Sequence, residues 1–226
     1  MSSLPNDALL RWLPIVRDNA EPGLVPFVMA TMQIESGGNE FAKNAKSGAS
    51  GLLQIMPFIS KDCGIDPFNP VQNIQCGVRL MGQIRTALHK VDHNRFQVQG
   101  FPGAFERRAM AAGYVRGWSA KAGVARDLTV YRGDDWQEFL ASFPAWKVTS
   151  PYVERVAILT DGWENKIKGI YVAEKELPEK PSIDPAQVPT TKTLNGKTLI
   201  TLLLTFFLSL VYVVVRSCDK LEVIFK

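Results

Sequence analysis

An uncharged stretch late in the chain limits what the rest of it can fold into. Residues 198–215 form a stretch of eighteen residues without a charge, between Lys197 and Arg216. At about 1.5 Å of rise per helical residue, such a stretch can just cross the ~30 Å hydrocarbon core of a bilayer. It is apolar on every face, which favours a transmembrane helix over a buried core helix.

A proline-rich segment precedes this stretch. It contains Pro178, Pro181, Pro185 and Pro189 and few large apolar residues. At about 3.1 Å per residue in polyproline geometry, such a linker could hold a domain up to ~60 Å from an anchor. The sequence therefore predicts a folded domain over 1–176, an extended linker over 177–197, a transmembrane helix over 198–215 and a short tail over 216–226.

Charges and small polar residues add expectations about the membrane. Lys and Arg flanking the span slightly favour a cytoplasmic C-terminus, with the large domain on the other side. Residues 1–20 lack the basic and apolar regions of a signal peptide, so delivery by another route is expected. Thr201, Thr205 and Ser209 share one helical face, where they could contact a helix–helix partner, although bonding to their own backbone is favoured.

The composition limits which kinds of fold and binding partner are expected. Hydrophobic residues make up 46% and charged residues 21%, so a sizeable core is possible, and the net charge of +4 suits an anionic partner. No basic run is interleaved with aromatic residues, so nucleic-acid binding is not predicted. No metal site or cofactor is predicted either. His89 and His93 have a helical spacing that could bind a metal, but a solvated helix end is the favoured interpretation.

The folded part has a helical pattern and no long alternating strand pattern, so a mainly α fold is predicted. One helix is expected from Pro26 to the stop at Gly37-Gly38, another after a cap at Asn73, a third over 104–115 and a fourth after Pro151. The second carries an apolar stripe formed by Cys76, Leu80, Ile84 and Leu88.

Two cysteines lie in this helical part, Cys63 and Cys76. They could pair if the domain meets an oxidising compartment, or they could remain two buried thiols. The sequence leaves both open, and two buried thiols are the favoured interpretation.

Glu35 is the candidate catalytic residue. Cleavage of a glycosidic bond needs an acid that is still protonated near neutral pH. Glu35 ends the first helix, where the helix dipole disfavours another negative charge, and its apolar neighbours disfavour the carboxylate by desolvation. The residues around Glu35 are equally compatible with an ordinary surface glutamate. The residues that follow in the sequence therefore decide between a catalytic acid and a surface glutamate.

Those residues form the strip Gly51–Pro57, with the sequence GLLQIMP. Glycine permits a tight turn and close approach of the backbone to a ligand. Gln54 offers both donors and acceptors, which suits sugar hydroxyl and acetamido groups.

Together Glu35-Ser36 and Gly51–Pro57 resemble the lytic transglycosylase family with the soluble-transglycosylase-like, lysozyme-like catalytic domain. The strip matches the family's second motif residue for residue, and Tyr152 resembles its late tyrosine. The resemblance covers roughly residues 20–165 and implies a lysozyme-like helical domain with a cleft. It implies substrate contacts from the following residues: Ser36, Gly51, Gln54, Met56, Tyr114 and Tyr152.

The third family motif, Ala-Tyr-Asn-Ala-Gly, fits less well. It aligns with residues 111–117 only after one insertion, and Val115 then stands in place of the asparagine. The region 118–147 is also long and unlike the family, so a separate cleft wall is expected there.

The resemblance implies that the chain is an enzyme acting on peptidoglycan glycan strands. Glu35 would protonate the bond between N-acetylmuramic acid and N-acetylglucosamine, and the muramic acid 6-hydroxyl would close a 1,6-anhydro product. Hydrolysis usually needs a second carboxylate, and none of the candidates has a supporting pattern. These candidates are Asp62, Asp66, Glu106 and Glu154.

Two alternatives remain open at this stage. One is a muramidase on the same fold, and the other is a peptidoglycan-binding adaptor without turnover, for which Val115 is the best support. The expected location is a membrane, either of a phage virion that opens the host wall or of a bacterium, with the catalytic domain facing the wall. A secretion apparatus and a lysis protein are further settings of the same kind.

Overall fold

The computed structural model describes residues 4–96, 99–119, 121 and 123–176. The chain divides into two units, 1–177 and 178–226, and the second lies outside the described residues. The predicted linker, transmembrane helix and tail therefore lie outside them too, as does the helix face with Thr201. In the part that is described, no helix combines the length and apolar character needed to cross a membrane.

Helices dominate the described residues, and the mainly α prediction is confirmed. The α-helices are α1 Leu13–Asn19, α2 Val25–Glu35, α3 Pro57–Cys63, α4 Pro70–Val91, α5 Ala104–Arg116, α6 Val124–Leu128, α7 Trp136–Ser142 and α8 Ser150–Glu176. Two 3-10 helices, Asp7–Trp12 and Pro144–Thr149, precede α1 and α8.

The helix that carries Glu35 is central to the domain. Proline at the second position of α2 fits a first helical turn, because its missing N–H has no helical acceptor there. Every residue from Val25 to Met32 is buried. The helix ends at Glu35, and Gly37 and Gly38 follow with φ of 62° and 84°, which stops the helix as predicted.

Helix α8 packs along α2 and α5. Its fully buried Trp163 donates a hydrogen bond from Nε1 to Gln33 Oε1 at 3.0 Å, which joins α8 to α2 two residues before Glu35. On the α5 side, Arg108 pairs with Glu154 at 2.8 Å. These contacts fix α8 beside the end of α2.

The second helix begins earlier than predicted, and Asn73 does not cap it. Helix α4 starts at Pro70, and the cap is Asn69, whose side chain accepts a hydrogen bond from Gln72 N–H. Asn73 is buried, and its amide nitrogen donates to Ser50 O and Pro67 O. The prediction failed because asparagine satisfies buried backbone groups as well as it caps a helix.

The two cysteines are joined, contrary to the favoured interpretation of two buried thiols. A disulfide links Cys63, at the end of α3, to Cys76 in α4. The helical spacing that predicts a buried face for Cys76 is equally compatible with a bridge, because a cysteine on an apolar face can meet a second cysteine from the neighbouring helix.

The region 118–147 forms α6, α7 and the start of the second 3-10 helix. Four of its aromatic side chains are buried: Tyr131, Trp136, Phe139 and Trp146. The first three pack against Phe105 of α5, and Trp146 packs against Phe139. None of the described residues of this region lines the cleft that contains Glu35. Trp118 and Ser119 line two other clefts, and the expected cleft wall stays a prediction.

Candidate active site

Glu35 lies in an open cleft of about 840 Å³. The cleft is bordered by the residues before α1, the end of α2, residues 42–44 and one face of α8. Its lining residues are Leu4, Pro5, Asn6, Asp7, Gln33, Ile34, Glu35, Ser36, Gly37, Ala42, Lys43, Asn44, Gln54, Arg155 and Leu159.

The carboxyl group of Glu35 has one close side-chain partner. Tyr152, in the first turn of α8, donates its hydroxyl proton to Glu35 Oε1 at 2.6 Å. Since Oε1 accepts this bond, Oε2 remains to carry a transferable proton.

Burial raises the pKa of Glu35 above its ordinary value, and the hydrogen bond from Tyr152 acts in the opposite direction. The net shift is upward because desolvation of the carboxylate is the larger of the two effects. The group is therefore biased toward its acid form, as a proton donor to a glycosidic oxygen requires.

Two tyrosine hydroxyls lie close to Glu35. Burial, reinforced by the negative charge of Glu35, raises the pKa of Tyr114 and of Tyr152 well above the ordinary value. Both phenols therefore stay protonated near neutral pH and act as hydrogen-bond donors. Tyr114 donates to Leu53 O at 2.6 Å, which ties α5 to the strip Gly51–Pro57.

The end of α2 is also tied to that strip. Ser36 donates from Oγ to Leu52 O at 2.7 Å, and its Oγ accepts from Gly38 N–H at 3.1 Å. Ser36 lines the cleft, but these bonds show that it holds the strip and the helix end together.

Gln54 has an unusual backbone. Among the described non-glycine residues it alone has a positive φ, of 47°, a conformation that costs energy and is often found at functional sites. Its Nε2 donates to Ala42 O at 3.1 Å and to Gly51 O at 3.0 Å. No described residue donates to Oε1 of Gln54, so this oxygen is an acceptor open to a ligand in the cleft.

A match to a family profile indicates which family of proteins this cleft is typical of. Residues 16–124 match the family profile described as Transglycosylase SLT domain. This part of the chain belongs to the SLT transglycosylase family.

A named relative agrees with this result. Over 90 residues the chain is 36% identical to a protein called "Transglycosylase" from Enterobacteria phage PRD1. The similarity covers 36% of this chain and 34% of that relative, so the chain spans about a third of the relative's length. The predicted family is confirmed.

The profile match stops before part of the site. It ends at residue 124, whereas Tyr152 and Arg155 lie on α8. The hydrogen bond between Tyr152 and Glu35 thus joins the matched part of the SLT domain to a helix beyond it.

Not every predicted site residue lies in the cleft of the SLT domain. Glu35, Ser36 and Gln54 line it, and Tyr152 contacts Glu35 directly. Gly51 and Met56 do not line it. Gly51 is buried with a φ of 79°, and a Cβ there would lie 2.0 Å from Pro67 O, so packing inside the protein already requires glycine.

Sequence reasoning missed three charged residues that line the cleft: Asp7, Lys43 and Arg155. Arg155 could have been found, because it lies three residues after Tyr152 on the same helix and therefore on nearly the same face. Asp7 and Lys43 carry no comparable signal, since they reach the cleft through the fold of the connecting segments.

The two histidines are occupied with the backbone. Nδ1 of His89 lies 2.7 Å from Phe96 O, and Nδ1 of His93 lies 2.8 Å from His89 O. Across the described residues, no group of three or more His, Cys, Asp or Glu side chains is placed to hold a metal ion.

Proposed function

We propose that this protein is a peptidoglycan lytic transglycosylase that cleaves between N-acetylmuramic acid and N-acetylglucosamine and forms a 1,6-anhydro product. The observation that carries the proposal is the buried Glu35, in an open cleft, with Tyr152 donating to its Oε1. The family match supplies the substrate class.

In the first step, Glu35 gives its proton to the glycosidic oxygen, and the bond from that oxygen to the muramic acid C1 breaks. In the second step, the 6-hydroxyl of the same muramic acid attacks C1 and returns its proton to the Glu35 carboxylate. No water is consumed, and the acid is regenerated. Tyr152 supports both steps, because its hydrogen bond stabilises the carboxylate that exists between them.

The positions of the other carboxylates support this route over hydrolysis. Asp62, Asp66, Glu106 and Glu154 do not line the cleft around Glu35. Glu106 is buried beside Arg85 at 2.9 Å, and Glu154 pairs with Arg108 at 2.8 Å.

One carboxylate does line the cleft besides Glu35, and it favours muramidase action as the second candidate. Asp7 is an exposed side chain on the 3-10 helix before α1, and it is paired with Lys166. A hydrolase of the inverting kind would need such a group as the base that activates water.

The products and two variants test the proposal. Glu35→Gln keeps the shape but removes the acid, and we expect it to lower the release of soluble fragments from purified sacculi by at least about a thousandfold. Mass spectrometry of wild-type products should show anhydro ends, which are lighter by one water than reducing ends.

Asp7→Asn is the matched control, because it neutralises the other cleft carboxylate. It should leave the anhydro product in place. Reducing ends alone, lost in Asp7→Asn, would establish the muramidase, and binding to sacculi without any product would establish an adaptor.

We further propose that the domain is held at a membrane by residues 198–215 and faces the cell wall. The support is the uncharged stretch and the proline-rich segment before it. The setting that we propose is a virion membrane, with wall opening during infection, and similarity to a phage protein supports a phage source. Detection in purified virions would test it, and a protein found only in the inner membrane of its bacterium would contradict it.

A further inference from the structure

A second groove lies along α4, and the proposed chemistry does not use it. It consists of two clefts, of about 990 Å³ and 540 Å³, that share four lining residues and are therefore continuous. The shared residues are Arg79, Gln83, Trp118 and Ser119. No residue that lines this groove also lines the cleft around Glu35, so the groove is a separate surface.

A polar stripe on α4 borders the groove. Four exposed residues form it, at intervals of three or four positions: Arg79, Gln83, Thr86 and Lys90. That spacing places them on one face of the helix, along about 16 Å of its axis. The amide of Gln83 forms no hydrogen bond with a described residue, so its donors and its acceptor are open to a ligand. An extended row of such groups suits a polymer better than a compact ligand.

Trp118 borders the groove at the place where α5 meets α4. A Cβ at Gly113 of α5 would lie 3.0 Å from Ile84 Cγ2 and 3.3 Å from Trp118 Cβ, so Trp118 packs close to the residue that follows Gln83. The side chain of Trp118 is half-buried, and its indole N–H has no acceptor among the described residues. It therefore presents an aromatic surface and a free donor from a position that packing holds.

The groove carries more positive than negative charge. Its acidic lining residues are Glu21 and Asp62, and Glu21 is paired with the buried Arg85. Four further cations line it: Arg79, Lys90, Arg116 and Arg132. Arg79 and Lys90 form no salt bridge with a described carboxylate. The groove thus favours a polymer that carries anionic groups.

We infer that this groove binds a segment of peptidoglycan glycan strand, separately from the cleft that contains Glu35. The inference rests on the proposed function for the chemistry of the strand, which alternates neutral sugars with sugars whose lactyl or peptide substituent carries carboxylates. Trp118 suits the apolar face of a sugar ring, the Gln83 amide suits acetamido and hydroxyl groups, and Lys90 suits carboxylates. Binding in the groove holds the enzyme on the wall between cleavage events.

Nucleic acid is the other polymer that a positive groove with an aromatic side chain attracts. The neutral amide and hydroxyl groups of Gln83, Thr86 and Ser119 favour the glycan, because most of its substituents are neutral while every nucleotide carries a charge. Single-stranded DNA is therefore the comparison ligand in the test.

The indole N–H signals of the five tryptophans provide that test. The full chain with Glu35→Gln is isotopically labelled at the indole nitrogens, and its NMR spectrum is followed during titration with uncrosslinked glycan strands. Trp118→Phe identifies the Trp118 signal. We expect this signal to shift and to saturate with the strands. Trp12 and Trp163 report separately on the catalytic cleft, because their indoles donate hydrogen bonds beside it.

Variants on α4 show whether the shift comes from the groove. Gln83→Ala and Lys90→Ala should each raise the Kd measured at Trp118 by about twofold to tenfold. Both side chains are exposed, so the fold should be kept, and kcat on short soluble strands should change by less than about twofold in the chain that retains Glu35. Gln75→Ala is the matched control, since Gln75 is an exposed glutamine of α4 that does not line the groove.

A Trp118 signal that does not shift with the strands would overturn the inference. Equal Kd values in Gln83→Ala, Lys90→Ala and Gln75→Ala would overturn it as well, because the shift would then come from elsewhere. Tighter binding of single-stranded DNA than of glycan strands at Trp118 would reject the glycan in favour of nucleic acid. Absence of product with wild type would contradict the proposed function, whereas the Trp118 titration judges the groove without turnover.

Discussion

Glu35 shows how the surroundings of one residue change its pKa. Its place at the end of α2 follows from the local sequence, but burial beside Tyr152 depends on a helix far along the chain. Desolvation raises the pKa of the carboxyl group, and the phenol limits that rise. Both the acid and the carboxylate forms are thus accessible, as an acid that later acts as a base requires.

Replacing Tyr152 by phenylalanine tests this balance. The hydrogen bond from Tyr152 lowers the pKa of Glu35, so its loss leaves desolvation unopposed and raises that pKa further. Since the reaction starts from protonated Glu35, activity falls as pH rises through the pKa, and Tyr152→Phe should move this fall to higher pH. We also expect kcat to fall by about threefold to tenfold, because the carboxyl group loses its orienting partner.

The measurement is a pH profile of kcat on soluble glycan strands. Tyr114→Phe is the control, because the Tyr114 hydroxyl donates to Leu53 O and should not move the fall. A fall that stays in place or moves to lower pH in Tyr152→Phe would show that the phenol does not set the pKa of Glu35.

The sequence singles out candidate site residues where they stand in short motifs. Glu35 and Tyr152 were both predicted, and the structure brings them together. Lys43 and Asp7 were not, because neither the charge nor the spacing of an isolated residue indicates which cleft it will line. Gly51 was predicted as a ligand contact, yet the fold itself requires glycine at this position, because a side chain would collide with the Pro67 carbonyl.

At the scale of elements, the disulfide between α3 and α4 is the main constraint on the motif strip. Helix α3 begins directly after Met56, and Cys63 at its end is joined to Cys76 of α4. The strip is held from the other side by Asn73 and Tyr114, which bond to Leu53 N–H and Leu53 O. The disulfide and these hydrogen bonds thus hold α3 and the strip Gly51–Pro57 together as one structural unit.

Reduction should weaken this unit. The bridge closes a loop with a sequence separation of 13. A loop of that length corresponds to about 3 kcal/mol of stabilisation through the entropy of the unfolded chain. We expect Cys63→Ser/Cys76→Ser to lower the free energy of unfolding in urea by about that amount.

The wild-type chain treated with reductant should match the double variant, and reductant should leave the double variant unchanged. Identical unfolding of the wild type with and without reductant would mean that the bridge does not form or does not stabilise the domain.

The sequence predicts the end of a helix correctly where glycine gives a strong stop signal. It misplaces the start of a helix where asparagine can either cap the helix or bond to buried backbone groups. Gly37-Gly38 ended α2 as predicted, because a positive φ favours glycine. The sequence predicts a cap at Asn73, but Asn69 caps α4, because both asparagines precede apolar helical residues.

At the scale of the whole molecule, the folded domain and the uncharged stretch 198–215 support separate predictions. The boundaries at 176 and 197 stay predictions, as does the membrane helix, since the residues concerned lie outside the described part. Composition alone supports them, through the prolines and the absence of charge.

Membrane attachment can be measured directly. The full chain should remain in the membrane pellet after extraction with alkaline carbonate, because eighteen uncharged residues provide a spanning length. A chain ending at Glu176 should be recovered in the supernatant. Recovery of the full chain in the supernatant would contradict the proposed attachment.

The bond between Tyr152 and Glu35 joins residues 117 positions apart. At about 5–20 residues per second, the ribosome needs roughly 6–23 s to travel from the acid to its phenol. Throughout that interval the growing chain lacks one half of its acid–phenol pair. The acid–phenol pair of the proposed active site is therefore complete only after the last described helix has been synthesised and has docked.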